Sequence, residues 1–297
     1  MSLTRSEQYD VVIVGAGLAG ASLALALTVS GDTVLRILLV EASAIQTDFP
    51  VQPGFDARST VLSASSVSYF EQLGLWAALG AAAEPIKKIH VSEQGRFGTV
   101  QLDSEAENTP ALGYVLENSA LGKALNSVLL ASPRLEVCAP AAVSSLKPCP
   151  EGMQLQLQGK DSSAAVTAAL VVLAEGGRSG LCEQLGISHS KHNYEQSAII
   201  ANVALSQAHG NVAYERFTAK GPVALLPLAD RDGLHRAALV WTHAASEAGA
   251  ILELDDAAFL QRLQQDFGQR CGTFIKAGKR LAFPLSLQLA QEQIRPS

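Results

Sequence analysis

A chain of 297 residues with 48% hydrophobic side chains has apolar material for one large or two medium buried cores, so a globular fold is expected. Its formal charge of -6 and pI near 5.5, without a block of Lys or Arg, remove the electrostatic ground for nucleic-acid binding. Cys138, Cys149, Cys182 and Cys271 form no CxxC pair and have no neighbouring His at ligand spacing, which points to reduced thiols in a cytosolic protein and to no metal centre. His189 and His192 read as histidines of a surface loop.

Residues 11–29, VVIVGAGLAGASLALALTV, carry no charge and reach the length at which a membrane helix must be considered. The β-branched run Val11–Val14 followed by Gly15, Gly17 and Gly20 instead predicts a buried strand, a tight turn and a helix. Glu7 and Asp10 stand where a signal peptide needs basic residues, so no leader is expected and the protein is placed in the cytoplasm. A second apolar run, Val34–Val40, ends at Glu41 and completes a strand, helix, strand unit with the short connections of a parallel sheet.

The loop Pro53-Gly54-Phe55-Asp56-Ala57-Arg58 leads into a helical pattern through Val67, Phe70, Leu73 and Trp76, weakened late by Gly74 and Gly80. Alternation from Ile86 to Leu102 predicts half-buried strands. Leu121, Leu125 and Leu129 at i, i+4 spacing predict a helix that opens at Asn118. Short strands are expected at Glu136–Cys138 and Gln154–Gln158, then a fully buried strand at Ala169–Ala174 whose exit reads Glu175-Gly176-Gly177-Arg178-Ser179. Beyond Gly186, strands at 197–205, 212–217, 223–227 and 236–242 alternate with polar turns and predict an antiparallel sheet packed on one face. A helix over 255–267 and a last segment at 280–287 close the chain.

Gly15-Ala16-Gly17-Leu18-Ala19-Gly20 has the spacing that lets a backbone turn tightly, approach a pyrophosphate and pack its helix on a sheet. The amino end of that helix would face the phosphates, where unpaired N–H groups and the helix dipole favour negative charge. Glu41, 21 residues after Gly20 at the end of the second strand, is placed to accept hydrogen bonds from an adenosine ribose. Its charge disfavours a 2′-phosphate, so FAD or NAD fits better than NADP. The chain then inserts strands and enters an antiparallel region, where an NAD domain would continue to alternate helices and strands. FAD is therefore the expected cofactor.

Pro53–Arg58, His90-Val91-Ser92, Ile199-Ile200-Ala201-Asn202-Val203 and Glu215-Arg216-Phe217-Thr218 extend the pattern. So do Gly221-Pro222, Leu226-Pro227-Leu228, Lys276–Arg280 and Phe283-Pro284-Leu285. In these stretches, nearly end to end, the sequence resembles the flavin-dependent aromatic hydroxylases of the para-hydroxybenzoate hydroxylase fold, and within them the ubiquinone-biosynthesis branch. The resemblance implies an α/β fold: a Rossmann-like FAD-binding domain over 1–85 and 112–185 with an inserted, mainly antiparallel β-sheet substrate domain over 86–111 and 186–285. It places Arg58 on the flavin side of the site. Asn118 matches a position near the flavin phosphates, and an N-cap role is its alternative. Glu175-Gly176 stands where the family has an Asp-Gly pair, and the extra methylene carries the carboxylate about 1.5 Å farther out, which puts tight contact there in question. The expected cofactor residues are thus Gly15, Gly17, Ala19, Gly20, Glu41, Arg58, Asn118, Glu175 and Gly176.

The family's third fingerprint, a Gly-Asp or Gly-Asn-Ala-Ala segment, is absent before Ser297, so a C-terminally truncated and inactive form that binds FAD weakly or not at all is expected. For the whole protein the resemblance implies FAD reduced by NADH or NADPH, oxygen carried as a flavin C4a-hydroperoxide, and hydroxylation of a polyprenyl phenol. A bilayer-resident substrate implies peripheral membrane contact or delivery by other ubiquinone-biosynthesis proteins. Tyr214, Arg216 and His243 are the candidates for positioning the ring. Another flavin oxidoreductase of the same fold, or a non-catalytic scaffold of a quinone-synthesis complex, are the competing expectations.

Overall fold

The structure is a computed structural model that describes residues 7–29, 34–46, 58–160, 163–177 and 179–296. In chain order its elements begin β1 (Glu7–Val14), α1 (Leu18–Val29), β2 (Ile37–Val40), β3 (Ser59–Leu62), α2 (Ala64–Gln72), α3 (Trp76–Leu79), β4 (Glu84–Ile86), β5 (Lys88–Glu93) and β6 (Thr99–Asp103). They continue with β7 (Gly113–Glu117), α4 (Asn118–Ala131), β8 (Leu135–Cys138), β9 (Ala141–Cys149), β10 (Gly152–Gly159), β11 (Ser163–Leu173) and α5 (Leu181–Gln184). Then come β12 (His189–Leu205), β13 (Val212–Thr218), β14 (Gly221–Arg231), β15 (Leu234–Ala244), α6 (Ala245–Leu252), α7 (Asp256–Phe267), β16 (Phe274–Ala277) and β17 (Leu281–Ala290).

The uncharged stretch 11–29 divides as its glycines dictate, into the end of β1 and the helix α1. β1 lies between β2 and β11, parallel to both, in a sheet of order β8, β2, β1, β11, β10, β9. Both faces of β1 are covered, which is why its apolar run is continuous rather than alternating. Val11 and Ile13 pack with Ala21, Leu25, Leu121 and Leu125 of α1 and α4. Val12 and Val14 pack with Val143, Leu155 and Leu157 of β9 and β10.

The second sheet runs β16, β12, β15, β14, β13, β5, β6, with β17 also paired to β12. It is antiparallel except where β13 meets β5 in parallel. Helices α6 and α7 cover one face, where Trp241, Phe259, Leu263 and Phe267 are buried with Leu225, Leu239 and Ile199. A small sheet of order β3, β7, β4 presses Ile86 and Val115 onto Ala213, Leu228 and Ala238, on the opposite face of the large sheet.

Several expectations are corrected. The second strand starts at Ile37, not Val34. The helix through Val67 ends at Gln72, because Gly74 takes φ 69° and breaks it before α3. β3, β7, β9, α5, α6 and β16 have no counterpart among the expected elements. β11 is buried in its first half, at Ala164, Val166 and Ala168, whereas Leu170 is 55% exposed. Pairing explains this: β10 leaves β11 at Met153 opposite Ala168, and only β1 accompanies it further. His189 and His192 lie on β12 rather than in a loop.

Candidate functional site: a dinucleotide cradle and an open sheet face

The turn after β1 is tied to both neighbouring strands. Gly15 N–H donates to the Val40 carbonyl at 2.8 Å, and Ala174 N–H donates to the Val14 carbonyl at 2.8 Å. Gly15 has φ 100°, and a Cβ there would lie 2.9 Å from the Ala174 oxygen and the Glu175 Cα, a conformation and a closeness that only glycine tolerates. A Cβ on Gly20 would lie 1.9 Å from the Gly15 oxygen and 3.1 Å from the Ala174 Cβ, so α1 is held directly against the strand ends. Gly17 meets nothing within 4 Å. Open space therefore fronts the turn beside the N–H groups that begin α1, Leu18 and Ala19 included, which lack intrahelical acceptors.

Glu41, just past β2, turns its carboxylate onto this turn. Its Oε2 accepts a hydrogen bond from Ala16 N–H at 2.8 Å, and its Oε1 accepts one from Ser43 N–H at 2.9 Å. A carboxylate offers about four acceptor positions, so ribose hydroxyls can still be received. Replacing Glu41 with leucine is expected to weaken FAD retention roughly 10- to 100-fold, as loss of charge-assisted hydrogen bonds of about 1.5–3 kcal/mol implies. Flavin titration checks this, and an unchanged affinity would confine the carboxylate to bracing the turn.

The second glycine loop abuts the first, since Glu175 is the neighbour that closes on Gly15. The Ser179 hydroxyl donates to Glu175 Oε1 at 2.7 Å and accepts from Leu181 N–H at 3.3 Å, so the longer acidic arm is folded back on its own loop. Gly176, at φ 76°, faces open space. Gly15, Gly17, Ala19, Gly20, Glu41, Glu175 and Gly176 are thus gathered where β1, β2 and β11 end.

Arg58 and Asn118 form a separate pair. Asn118 N–H donates to the Arg58 carbonyl at 2.8 Å, and the Thr60 hydroxyl donates to Asn118 Oδ1 at 2.6 Å. Asn118 is the first residue inside α4 and not its cap, a place that Glu117 holds without a side-chain cap bond; the N-cap alternative is corrected accordingly. The Arg58 guanidinium lies 4.8 Å from the ring centre of Phe283 on β17, a cation–π contact. The rest of the loop, 53–57, lies outside the described residues.

The three ring-positioning candidates lie together on one face of the large sheet. Tyr214 packs edge-on against Phe267 of α7 at 5.6 Å, Arg216 Nε donates to the Asp266 carbonyl at 3.1 Å, and His243 is 0% exposed beside Trp241. All three belong to the helix-covered face. Burial holds the His243 pKa below the ordinary histidine value. Sequence reasoning missed two features of the opposite face. The first is Glu117 Oε1, which accepts from Asn202 Nδ2 at 3.1 Å and from Arg236 Nη1 at 3.4 Å, linking the start of α4 to the large sheet. The second is Glu215, which strand alternation places opposite Tyr214 and Arg216.

A glycine turn at the carboxyl edge of a parallel sheet, an acid closing on it and a broad antiparallel sheet alongside define a dinucleotide-binding protein of the two-sheet flavoprotein class. The chain belongs to the FAD binding domain family, whose model matches residues 8–282. It is 31% identical over 285 residues to "Ubiquinone hydroxylase UbiL" of Rhodospirillum rubrum, a match over 96% of this chain and 63% of that protein. It is 30% identical over 294 residues to "3-demethoxyubiquinol 3-hydroxylase" of Escherichia coli, over 98% of this chain and 71% of that one. The solved structure of p-nitrophenol 4-monooxygenase PnpA from Pseudomonas putida superposes with a TM-score of 0.74 at 16% identity, covering 97% of this chain and 71% of that one. The expected resemblance to flavin-dependent hydroxylases of ubiquinone biosynthesis, and the α/β fold it implied, are borne out. FAD is the cofactor of the family, and the residues present suit it: the turn is closed to any side chain at Gly15 and Gly20 and open in front of Gly17.

Proposed function

We propose that the protein hydroxylates the aromatic ring of a polyprenyl phenol in ubiquinone biosynthesis, with FAD as cofactor, NADH or NADPH as reductant and oxygen as co-substrate. One observation carries the reading: Glu41 and the Glu175–Gly176 loop converge on the glycine turn, in a chain that follows a ubiquinone hydroxylase over 96% of its length. Bound FAD would supply electron transfer and oxygen activation. Gly15, Gly17, Ala19, Gly20 and Glu41 would hold its adenosine and pyrophosphate, with Glu175, Gly176, Arg58 and Asn118 nearer the flavin. Residues 1–85 and 112–185 would form the flavin half, and 86–111 and 186–285 would orient the ring and keep water from it.

Among the described residues no helix is long and apolar enough to cross a membrane, so the prenyl substrate would be met at a membrane surface or delivered by other proteins of the pathway. The test supplies the FAD-loaded protein with NADH or NADPH, a short-chain prenylphenol and isotopically labelled oxygen. A product that gains one labelled oxygen atom is expected. Nicotinamide oxidation that yields only hydrogen peroxide would instead favour another flavin oxidoreductase, and no oxidation at all would favour the scaffold role.

A further inference from the structure

Glu215 is the one acid in a row of apolar side chains on the open face of the large sheet. Pairing registers Val91, Glu215, Ala224, Val240, Ile200 and Leu281 across β5, β13, β14, β15, β12 and β17. The next row along the strands reads Glu93, Phe217, Pro222, Thr242, Ala198 and Phe283, and ends under the Arg58 guanidinium. On the other side, the row through Ala213 and Ala238 is capped by the small sheet. What lies between is a floor of mainly apolar side chains, about 19 Å wide from Glu215 to the Phe283 strand by four strand spacings.

Glu215 is half-buried and makes no side-chain hydrogen bond or ion pair among the described residues. Its nearest companions on the face, Val91, Ala224, Ala213 and Phe217, are all apolar, while Tyr214, Arg216, His90 and Ser92 face the other way. Desolvation alone holds its carboxyl above the usual carboxylate range. Its oxygens still reach solvent on the open face, so a ligand that covers them must bring a donor in place of water. The matching ligand is a flat apolar body with a neutral O–H donor. Phe217 at 49%, Val100 at 61% and Leu102 at 45% exposure continue the apolar surface from Glu215 to the outer edge of the sheet, which suits a hydrocarbon tail attached to that ring.

We propose that Glu215 receives the phenolic hydroxyl of the substrate, its carboxylate accepting the O–H hydrogen bond while the ring lies on Ala224, Pro222 and Val240 and the prenyl chain runs outward past Phe217 and Val100. This rests on the hydroxylase reading above. The proton stays on the phenol oxygen in this arrangement, and the anionic acceptor raises electron density in the ring that is to be oxidised.

The test compares 2-prenylphenol with its O-methyl ether, which has the same shape and no donor, by equilibrium dialysis against the FAD-loaded protein. The wild type is expected to bind the phenol about 10- to 100-fold tighter, as a hydrogen bond to a charged group implies. In Glu215→Leu the ratio should fall to near one with ether affinity unchanged, and Glu215→Gln, which keeps a carbonyl acceptor, should fall between. A ratio kept in the leucine variant would overturn the proposal and leave the hydroxylase reading standing. Should the leucine variant fail to fold, an undiminished ratio in the glutamine variant would overturn it as well. A wild type that binds neither compound would overturn the substrate reading, and this inference with it.

Discussion

Substituting alanine at Gly20 is expected to abolish flavin retention and to lower the unfolding free energy by about 3 kcal/mol. The added Cβ would sit 1.9 Å from the Gly15 carbonyl oxygen, a backbone atom that is itself pinned, because the Gly15 amide is bonded to Val40. Relief requires α1 to lift from the strand ends, which opens the contacts of Ala21 and Leu25 in the core beneath. The amides that begin α1 are then withdrawn from the phosphates they would bind. Gly17→Ala is the control: with nothing within 4 Å of the added carbon, the fold should keep its stability to within about 0.5 kcal/mol, while the methyl intrudes on the space a pyrophosphate needs. Thermal unfolding and flavin absorbance of the two variants separate the roles. Equal stability of Gly20→Ala and wild type would show that the helix is not held by this contact.

Trp241→Ala is expected to cost about 4 kcal/mol, within the range for deleting a fully enclosed aromatic side chain. Trp241 is 0% exposed, meets Phe259 edge-on at 5.6 Å and His243 at 4.6 Å, and shares one cluster with Phe267 and Phe274. Its removal leaves a cavity between the sheet and α7 that neither element can close without breaking the pairing of β15 with β12 and β14. Denaturant unfolding measures the loss, and a change below about 1 kcal/mol would mean that α6 and α7 do not rest on the sheet. Because Thr242 and Val240 are on the other face of the same strand, the variant also asks whether the open floor depends on the core behind it. Phenol binding that falls in step with stability would show that it does.

The glycine turn and the acid that closes on it are legible in the sequence, for a local reason. Gly15, Gly17, Gly20 and Glu41 act through a strand, a turn and a helix that follow one another along the chain, so spacing alone places them. Helix α7 was equally plain, with Asp255 capping it through Ala258 N–H and its apolar side chains on one stripe. β16 escaped notice because four residues at a sheet edge carry little periodic signal, and β9 because a bulge in its pairing breaks the alternation between Val143 and Leu146.

Alternation along β13 separates Tyr214 and Arg216 from Glu215 from the sequence alone, because successive side chains in a strand point to opposite faces. Which face would be sealed by α6 and α7 and which left open was decided only in the folded chain, by the docking of Phe259, Phe267 and Trp241 on one side and of the small sheet on the other. That choice depends on contacts between segments far apart along the chain, and no local pattern encodes it. It therefore put Tyr214, Arg216 and His243 on the helix-covered face and left Glu215 on the open one.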